Sequence, residues 1–222
     1  MTKQELAKMI DHTAIRPEVT VVDVKKICAE AGEHGFGLVC VAPTWVPLAA
    51  KELSGSGVRV GTVCGFPHGS TLTVVKCVEA STVMEAGADE IDMVLPIGHL
   101  KSDMAEVVQM DIAFICDLVH RKQGAIVKVI LETPLLTDEE INLACHLCEQ
   151  AGADFVKTAT GLAGGGATVE AVRLMKQAVG DRLGVQAAGG IADYPTAKAM
   201  IDAGASRIGA SKSVEILESF EK

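Results

Sequence analysis

Short apolar runs recur along this chain at intervals of mostly 20 to 35 residues, and the segments between them carry a helical spacing of apolar positions. The runs at 37–43, 59–66, 90–96, 125–133, 184–191 and 207–211 are rich in Val, Ile and Ala and bounded by Gly or Pro. That is the signature of strands buried on both faces. Phe155-Val156-Lys157 reads as a further strand, and 9–14 as a less distinct first one. Helices are predicted over 17–31 (stopping at Gly32), 71–86, 103–122, 137–150, 168–179 and 196–203. Ala86-Gly87-Ala88, Ala151-Gly152-Ala153 and Ala203-Gly204-Ala205 each join a predicted helix to a strand, as a glycine that ends the helix and a tight turn into the sheet.

Eight strand–helix repeats predict an α/β fold, a (β/α)8 barrel occupying residues 1–222 as one domain, with a doubly wound open sheet as the alternative. The strand count favours the barrel. So does the absence of Gly-x-Gly-x-x-Gly after the first strand, the turn that an open dinucleotide-binding sheet requires.

Composition narrows the function classes. The chain has 222 residues, 49% hydrophobic but only 3% aromatic, so Val, Ala and Ile must fill the core. A net charge of −9 disfavours nucleic acid and anionic membrane surfaces as partners. It leaves phosphorylated substrates open, because backbone amides bind phosphate without a basic patch. The sequence shows neither a signal peptide nor an apolar run long enough to cross a bilayer. Seven cysteines, an odd number, fit a reducing cytosol better than a disulfide scaffold, so a cytoplasmic location is expected. Cys145-His-Leu-Cys148 lies in a helical pattern with no second pair, which predicts two buried helix-face thiols rather than a redox or zinc motif.

Lys157 is the main chemical candidate. An amine in an apolar strand is costly to bury charged, and a neutral amine forms Schiff bases with carbonyls. In a parallel barrel, inward side chains near the C-terminal strand ends converge, so Asp92, Lys128 and Lys157 are expected to meet. A carboxylate there can move the protons that carbinolamine formation and dehydration require; a structural ion pair with either lysine is the plainer reading of Asp92. Thr160-Gly161, Gly189-Gly190 and Gly209-Ala210-Ser211 close the last three strands. Glycine turns there let amides approach phosphate, so a phosphorylated aldehyde or ketone is the expected substrate class.

Six motifs then resemble one family in order along residues 9–217. They are Ile-Asp-His-Thr (10–13), Glu-Ile-Asp-Met-Val (90–94), Lys-Val-Ile-Leu-Glu-Thr (128–133), Phe-Val-Lys-Thr-Ala-Thr-Gly (155–161), Ala-Gly-Gly-Ile (188–191) and Arg-Ile-Gly-Ala-Ser (207–211). Together they look like the deoxyribose-phosphate aldolases. The resemblance implies a class I aldolase, without metal or other cofactor, that cleaves 2-deoxy-D-ribose 5-phosphate to acetaldehyde and D-glyceraldehyde 3-phosphate. It implies Lys157 as the Schiff-base lysine and Asp92 as proton donor and acceptor, with Lys128 and position 186 completing the catalytic set. Gly161, Gly189, Gly190, Gly209 and Ser211 are the implied phosphate residues, and Asp11, Thr13 and Cys40 further substrate contacts. A homo-oligomer, a dimer being simplest, is the expected assembly.

Three positions depart from the family pattern. Gln186 stands where a second catalytic lysine is usual, Ala192 where an arginine often follows Gly-Gly-Ile, and Arg16 where a lysine precedes Pro17. The first is chemically the largest, because a neighbouring cation helps keep the nucleophilic amine neutral. For an ordinary lysine only about one amine in 2,500 is neutral at pH 7, a handicap of roughly 4–5 kcal/mol. Lys128, one strand away from Lys157, is the expected substitute cation. Three other readings remain at this level, the first a Schiff-base aldolase of the same family acting on a different aldehyde or sugar phosphate. His12, His68 and His99 at one barrel mouth would suggest a metal-dependent enzyme, and the loss of a lysine at 186 would suit a catalytically silent barrel.

Overall fold

A computed structural model describes residues 1–221. Its eight strands are β1 (Ile10–Ala14), β2 (Leu38–Val41), β3 (Arg59–Cys64), β4 (Glu90–Val94), β5 (Ile126–Ile130), β6 (Phe155–Lys157), β7 (Gly184–Ala188) and β8 (Arg207–Ala210). Each pairs in parallel with its sequence neighbours, and β8 closes on β1. The barrel expectation holds, and the open sheet is excluded by that last pairing.

The helices are α1 (Lys3–Met9), α2 (Val21–His34), α3 (Val46–Glu52), α4 (Thr73–Glu85), α5 (Ile97–Leu100), α6 (Ala105–Val119), α7 (Asp138–Gln150), α8 (Val169–Val179), α9 (Tyr194–Asp202) and α10 (Ser213–Glu218). Local chemistry sets their ends. Thr2 with Glu5, Thr20 with Asp23 and Thr137 with Glu140 form reciprocal capping boxes. The box at Thr20 moves the start of α2 from the expected position 17 to Val21. Its stop also moves: α2 runs through Gly32 and ends where Gly35 takes the left-handed conformation, φ 69°. Gly87, Gly152 and Gly204 have positive φ just after α4, α7 and α9, as their repeated motif predicts. Helices α1, α3, α5 and α10 were not expected from periodicity. They have seven, seven, four and six residues, too short to show a repeat, and Pro43 and Pro47 make the α3 region read as a turn.

Most of the core lies between the strands and the helical shell, where Val108, Ile112, Ile115 and Val119 of α6 are fully buried. Burying each such side chain contributes about 1.5–3 kcal/mol. The lumen differs. It has a small apolar cluster of Leu38, Cys40 and Val63, and beside it a set of ionised side chains. Gly184 leaves room for Phe155, whose ring would lie 2.1 Å from a β-carbon there. Phe155 in turn lies beneath the Arg207 guanidinium.

Candidate active site

Inward positions alternate along the strands, so Asp11, Asp92, Lys128, Lys157 and Gln186 all enter the lumen. The β4–β5 register places Asp92 beside Lys128, and the β6–β7 register places Lys157 beside Gln186.

Lys128 is fully buried and its ammonium is saturated. It lies 2.8 Å from Asp92 Oδ1, 2.8 Å from Glu90 Oε2 and 3.0 Å from Asp11 Oδ2. Burial lowers its pKa, but Asp11, Asp92 and Glu90 outweigh that and hold it above the ordinary lysine value. Lys128 is thus a permanent cation ringed by three carboxylates, one of which, Asp92, accepts its hydrogen bond. Its charge stands one carboxylate away from Lys157, already matched by acids.

Lys157 Nζ donates to Asp92 Oδ2 at 2.5 Å. Burial would raise Asp92, but Lys128 and Lys157 hold its carboxyl down at about 2. Asp92 is therefore an ionised bridge between the two amines, one saturated and one not. Lys157 has this carboxylate as its one ion-pair partner among the described residues.

The difference matters because Lys157 reaches open volume. A cleft of about 640 Å³ opens at the C-terminal ends of the strands, with Lys157, Thr13, Gly161, Gly189, Gly190, Gly209 and Ser211 in its lining. Gly161, Gly189 and Gly190 have φ of 78°, 96° and 79°, a conformation that presents their amides in a way side-chain-bearing residues reach only with strain. Lys212, exposed at the same rim, was missed by sequence reading; its only signal was its place next to Ser211.

The other candidates lie below the cleft. Asp11 accepts from Arg207 and Gln186 and forms an ion pair with Lys128, so its carboxylate serves the network rather than the cleft lining. Cys40 is buried, and desolvation together with Asp92 pushes its thiol up to about 12. Gln186 donates from Nε2 to Asp11 Oδ2 at 2.6 Å, while its Oε1 is buried without a hydrogen-bond partner.

The histidines do not gather. His12, between the inward Asp11 and Thr13, points out of the barrel, where its ring nitrogens meet Ser213 Oγ at 2.9 Å and Glu30 Oε2 at 2.8 Å. His68 and His99 are exposed. No group of three or more His, Cys, Asp or Glu side chains with metal-binding geometry occurs among the described residues. The expectation that His12 shares a mouth with the other two is corrected by strand parity, which turns adjacent residues to opposite faces. Cys145 and Cys148 are buried on α7 with free thiols, Cys145 pushed up to about 12 by desolvation.

A closed parallel barrel with an under-coordinated lysine at its C-terminal mouth defines an enzyme of the (β/α)8-barrel class. Residues 5–216 match the family model described as DeoC/LacD family aldolase, and the chain belongs to that family. It is 52% identical over 214 residues to a Streptococcus gordonii protein named deoxyribose-phosphate aldolase, covering 96% of each chain. A solved Coccidioides immitis structure titled a putative deoxyribose-phosphate aldolase superposes with TM-score 0.96 at 39% identity, covering 100% of this chain and 88% of that one. The Aeropyrum pernix deoxyribose phosphate aldolase, titled a unique tetrameric structure, superposes with TM-score 0.93 at 37% identity, covering 100% and 93%.

Proposed function

We propose that this chain is a Schiff-base aldolase that cleaves 2-deoxy-D-ribose 5-phosphate to acetaldehyde and D-glyceraldehyde 3-phosphate, and runs the reverse addition. One observation carries the reading. The Lys157 amine lies at the edge of the cleft, and its one carboxylate partner is itself anchored by a second, saturated ammonium. The names of the relatives, about 50% identical over nearly the whole chain, support the choice of substrate.

Lys157 gives up a proton, and its nitrogen adds to the C1 carbonyl of the open sugar. Asp92, 2.5 Å from that nitrogen, takes the proton and returns one as the carbinolamine loses water. The iminium then draws the electrons of the C2–C3 bond as the C3 hydroxyl passes its proton to the Asp92 carboxylate, which is ionised again after dehydration. Glyceraldehyde 3-phosphate departs and an enamine remains. Asp92 returns the proton to C2, and hydrolysis of the resulting iminium releases acetaldehyde and restores the amine. Gly161, Gly189, Gly190 and Ser211 hold the phosphate through backbone amides, with Lys212 adding a rim cation. Gln186 offers no charge in the lumen, so the proton transfers at Lys157 rest on Asp92, whose carboxylate Lys128 anchors.

The same reading takes the chain to be a homo-oligomer working in the cytosol. Exposed Val74 and Val78 on α4, beside Met110 and Phe114 on the adjacent α6, support self-association. Seven free cysteines support a reducing compartment, and no helix among the described residues is long and apolar enough to cross a membrane.

Borohydride reduction in the presence of acetaldehyde, followed by peptide mapping, tests the reaction. The expected adduct is on Lys157. An adduct on Lys128, or none on a preparation that turns the sugar over, overturns the assignment.

A further inference from the structure

Glu132 follows β5 at the barrel mouth with φ 59° and ψ 56°, a left-handed conformation that is strained for a residue with a β-carbon. Its side chain is 1% exposed, and burying a carboxylate away from water is expensive. Both oxygens lie on one partner, the main-chain N–H of Thr160, at 3.1 and 3.3 Å. Strain and burial of this kind persist only where the surrounding structure enforces them.

The enforcement is visible in the backbone. Leu131 N–H donates to the Lys157 carbonyl at 2.9 Å and Thr133 N–H to the Thr158 carbonyl at 2.8 Å. The residues on both sides of Glu132 are therefore tied to β6 as it emerges beneath the cleft. The left-handed turn at Glu132 sends its carboxylate one step further along the same segment, to Thr160. Beyond that point Gly161 turns with φ 78° and the chain runs exposed through 161–164. It is caught again where Ala167 N–H donates to the Gly189 carbonyl at 3.0 Å. Glu132 is thus the fastening at the start of this loop.

We infer that Glu132 is a positioning residue for the substrate's phosphate: its carboxylate fixes the Thr160 amide, and thereby the direction in which Gly161 faces the cleft. The nature of the ligand rests on the reaction proposed above; the fastening does not. The interaction is a charge-assisted hydrogen bond to a backbone N–H, the stronger kind, and its loss acts at the turn that begins the phosphate-facing loop.

Three variants test it. Glu132→Ala removes the acceptor, Glu132→Gly removes both acceptor and strain, and Glu132→Gln keeps one carbonyl acceptor. Amide hydrogen exchange at Thr160 and Gly161 is expected to quicken about tenfold or more in the first two variants and to be largely restored in the third. KM for deoxyribose 5-phosphate is expected to rise about tenfold in the Ala and Gly variants, with kcat changed little and unphosphorylated deoxyribose unaffected. A purely structural role would lower the melting temperature without that split between the two substrates. Unchanged exchange at Thr160 in a folded Glu132→Ala protein overturns the fastening, whatever the substrate is. Faster exchange with equal losses on both sugars overturns the link to phosphate. If the unmodified protein does not turn over deoxyribose 5-phosphate, the reaction falls instead, and the exchange measurement still decides the role of Glu132.

Discussion

Lys76 and Lys157 are buried lysines that each pair with a single aspartate, and they differ in what surrounds the pair. Lys76 on α4 donates to Asp111 Oδ2 at 2.6 Å and to the Val94 carbonyl at 2.9 Å, while Thr73 Oγ1 donates to Asp111 Oδ1 at 2.6 Å. The pair lies outside the barrel, with Lys76 fully buried and both partners satisfied. Lys157 also sits on a carboxylate, but among the described residues its amine has no second partner, and it borders a cleft. A buried amine is therefore no sign of chemistry in itself. An amine left short of partners beside open volume is.

The comparison makes crossed predictions, and the largest effect is on turnover. Lys157→Ala is expected to lower kcat for deoxyribose 5-phosphate by at least about a thousandfold, since no other amine in the lumen can form the Schiff base. Its melting temperature should change little. Asp111→Ala should do the opposite, destabilising the fold by about 3–5 kcal/mol because Lys76 is left as an uncompensated buried charge, with kcat of the folded fraction kept. Denaturant unfolding and steady-state kinetics on both proteins check this. A large stability loss in the first variant, or a specific loss of kcat in the second, would erase the distinction between the two pairs.

A smaller effect is expected at the glycine turns. Gly190 has φ 79°, and a β-carbon there would meet nothing within 4 Å, so the main cost of Gly190→Val is backbone strain. KM for the phosphorylated sugar should rise about tenfold, as expected for the loss of one charge-assisted hydrogen bond. Deoxyribose itself should be much less affected; equal losses for the two sugars would argue against phosphate binding there.

Gln186→Lys sharpens the comparison from the other side, because it adds an ammonium next to Lys157 in register. The expected gain is several-fold in rate at neutral pH, with the rising limb of the pH–rate profile moved to lower pH. An unchanged profile in a folded variant would show that Lys157 is activated by a route that needs no second cation at 186. A large loss of activity would assign Gln186, with its unpaired buried Oε1, to direct substrate binding.

The smallest effect is in acid. The carboxyl of Asp92 is held at about 2 against an ordinary 3.8. A depressed carboxylate contributes stability in full above its unfolded value and loses it as pH falls through the folded one. Stability attributable to Asp92 should therefore fade between pH about 4 and about 2. Urea midpoints of the parent and of Asp92→Asn, followed across that range, should converge as the pH falls; a constant gap would contradict the depressed value.

Much of this was legible in the chain. Period, strand spacing and the three Ala-Gly-Ala joints are local signals, and they determined the eight-fold barrel because each strand–helix unit repeats the same short-range pattern. Strand parity and barrel convergence were enough to bring Asp92, Lys128 and Lys157 together, since a closed sheet leaves inward residues near the strand ends nowhere else to go. Only the tertiary structure decided how the charges are shared. Whether a lysine has three carboxylates, as Lys128 does, or one, as Lys157 does, depends on side chains from strands far apart in sequence. The Lys128–Asp11 contact spans β5 and β1, and no periodicity records it. The same holds for the partners of His12, which are Ser213 and Glu30, and for Glu132, whose left-handed backbone is imposed by β6 rather than by its own residue type. Local pattern fixes which face a residue occupies; long-range contact fixes what that residue is left free to do.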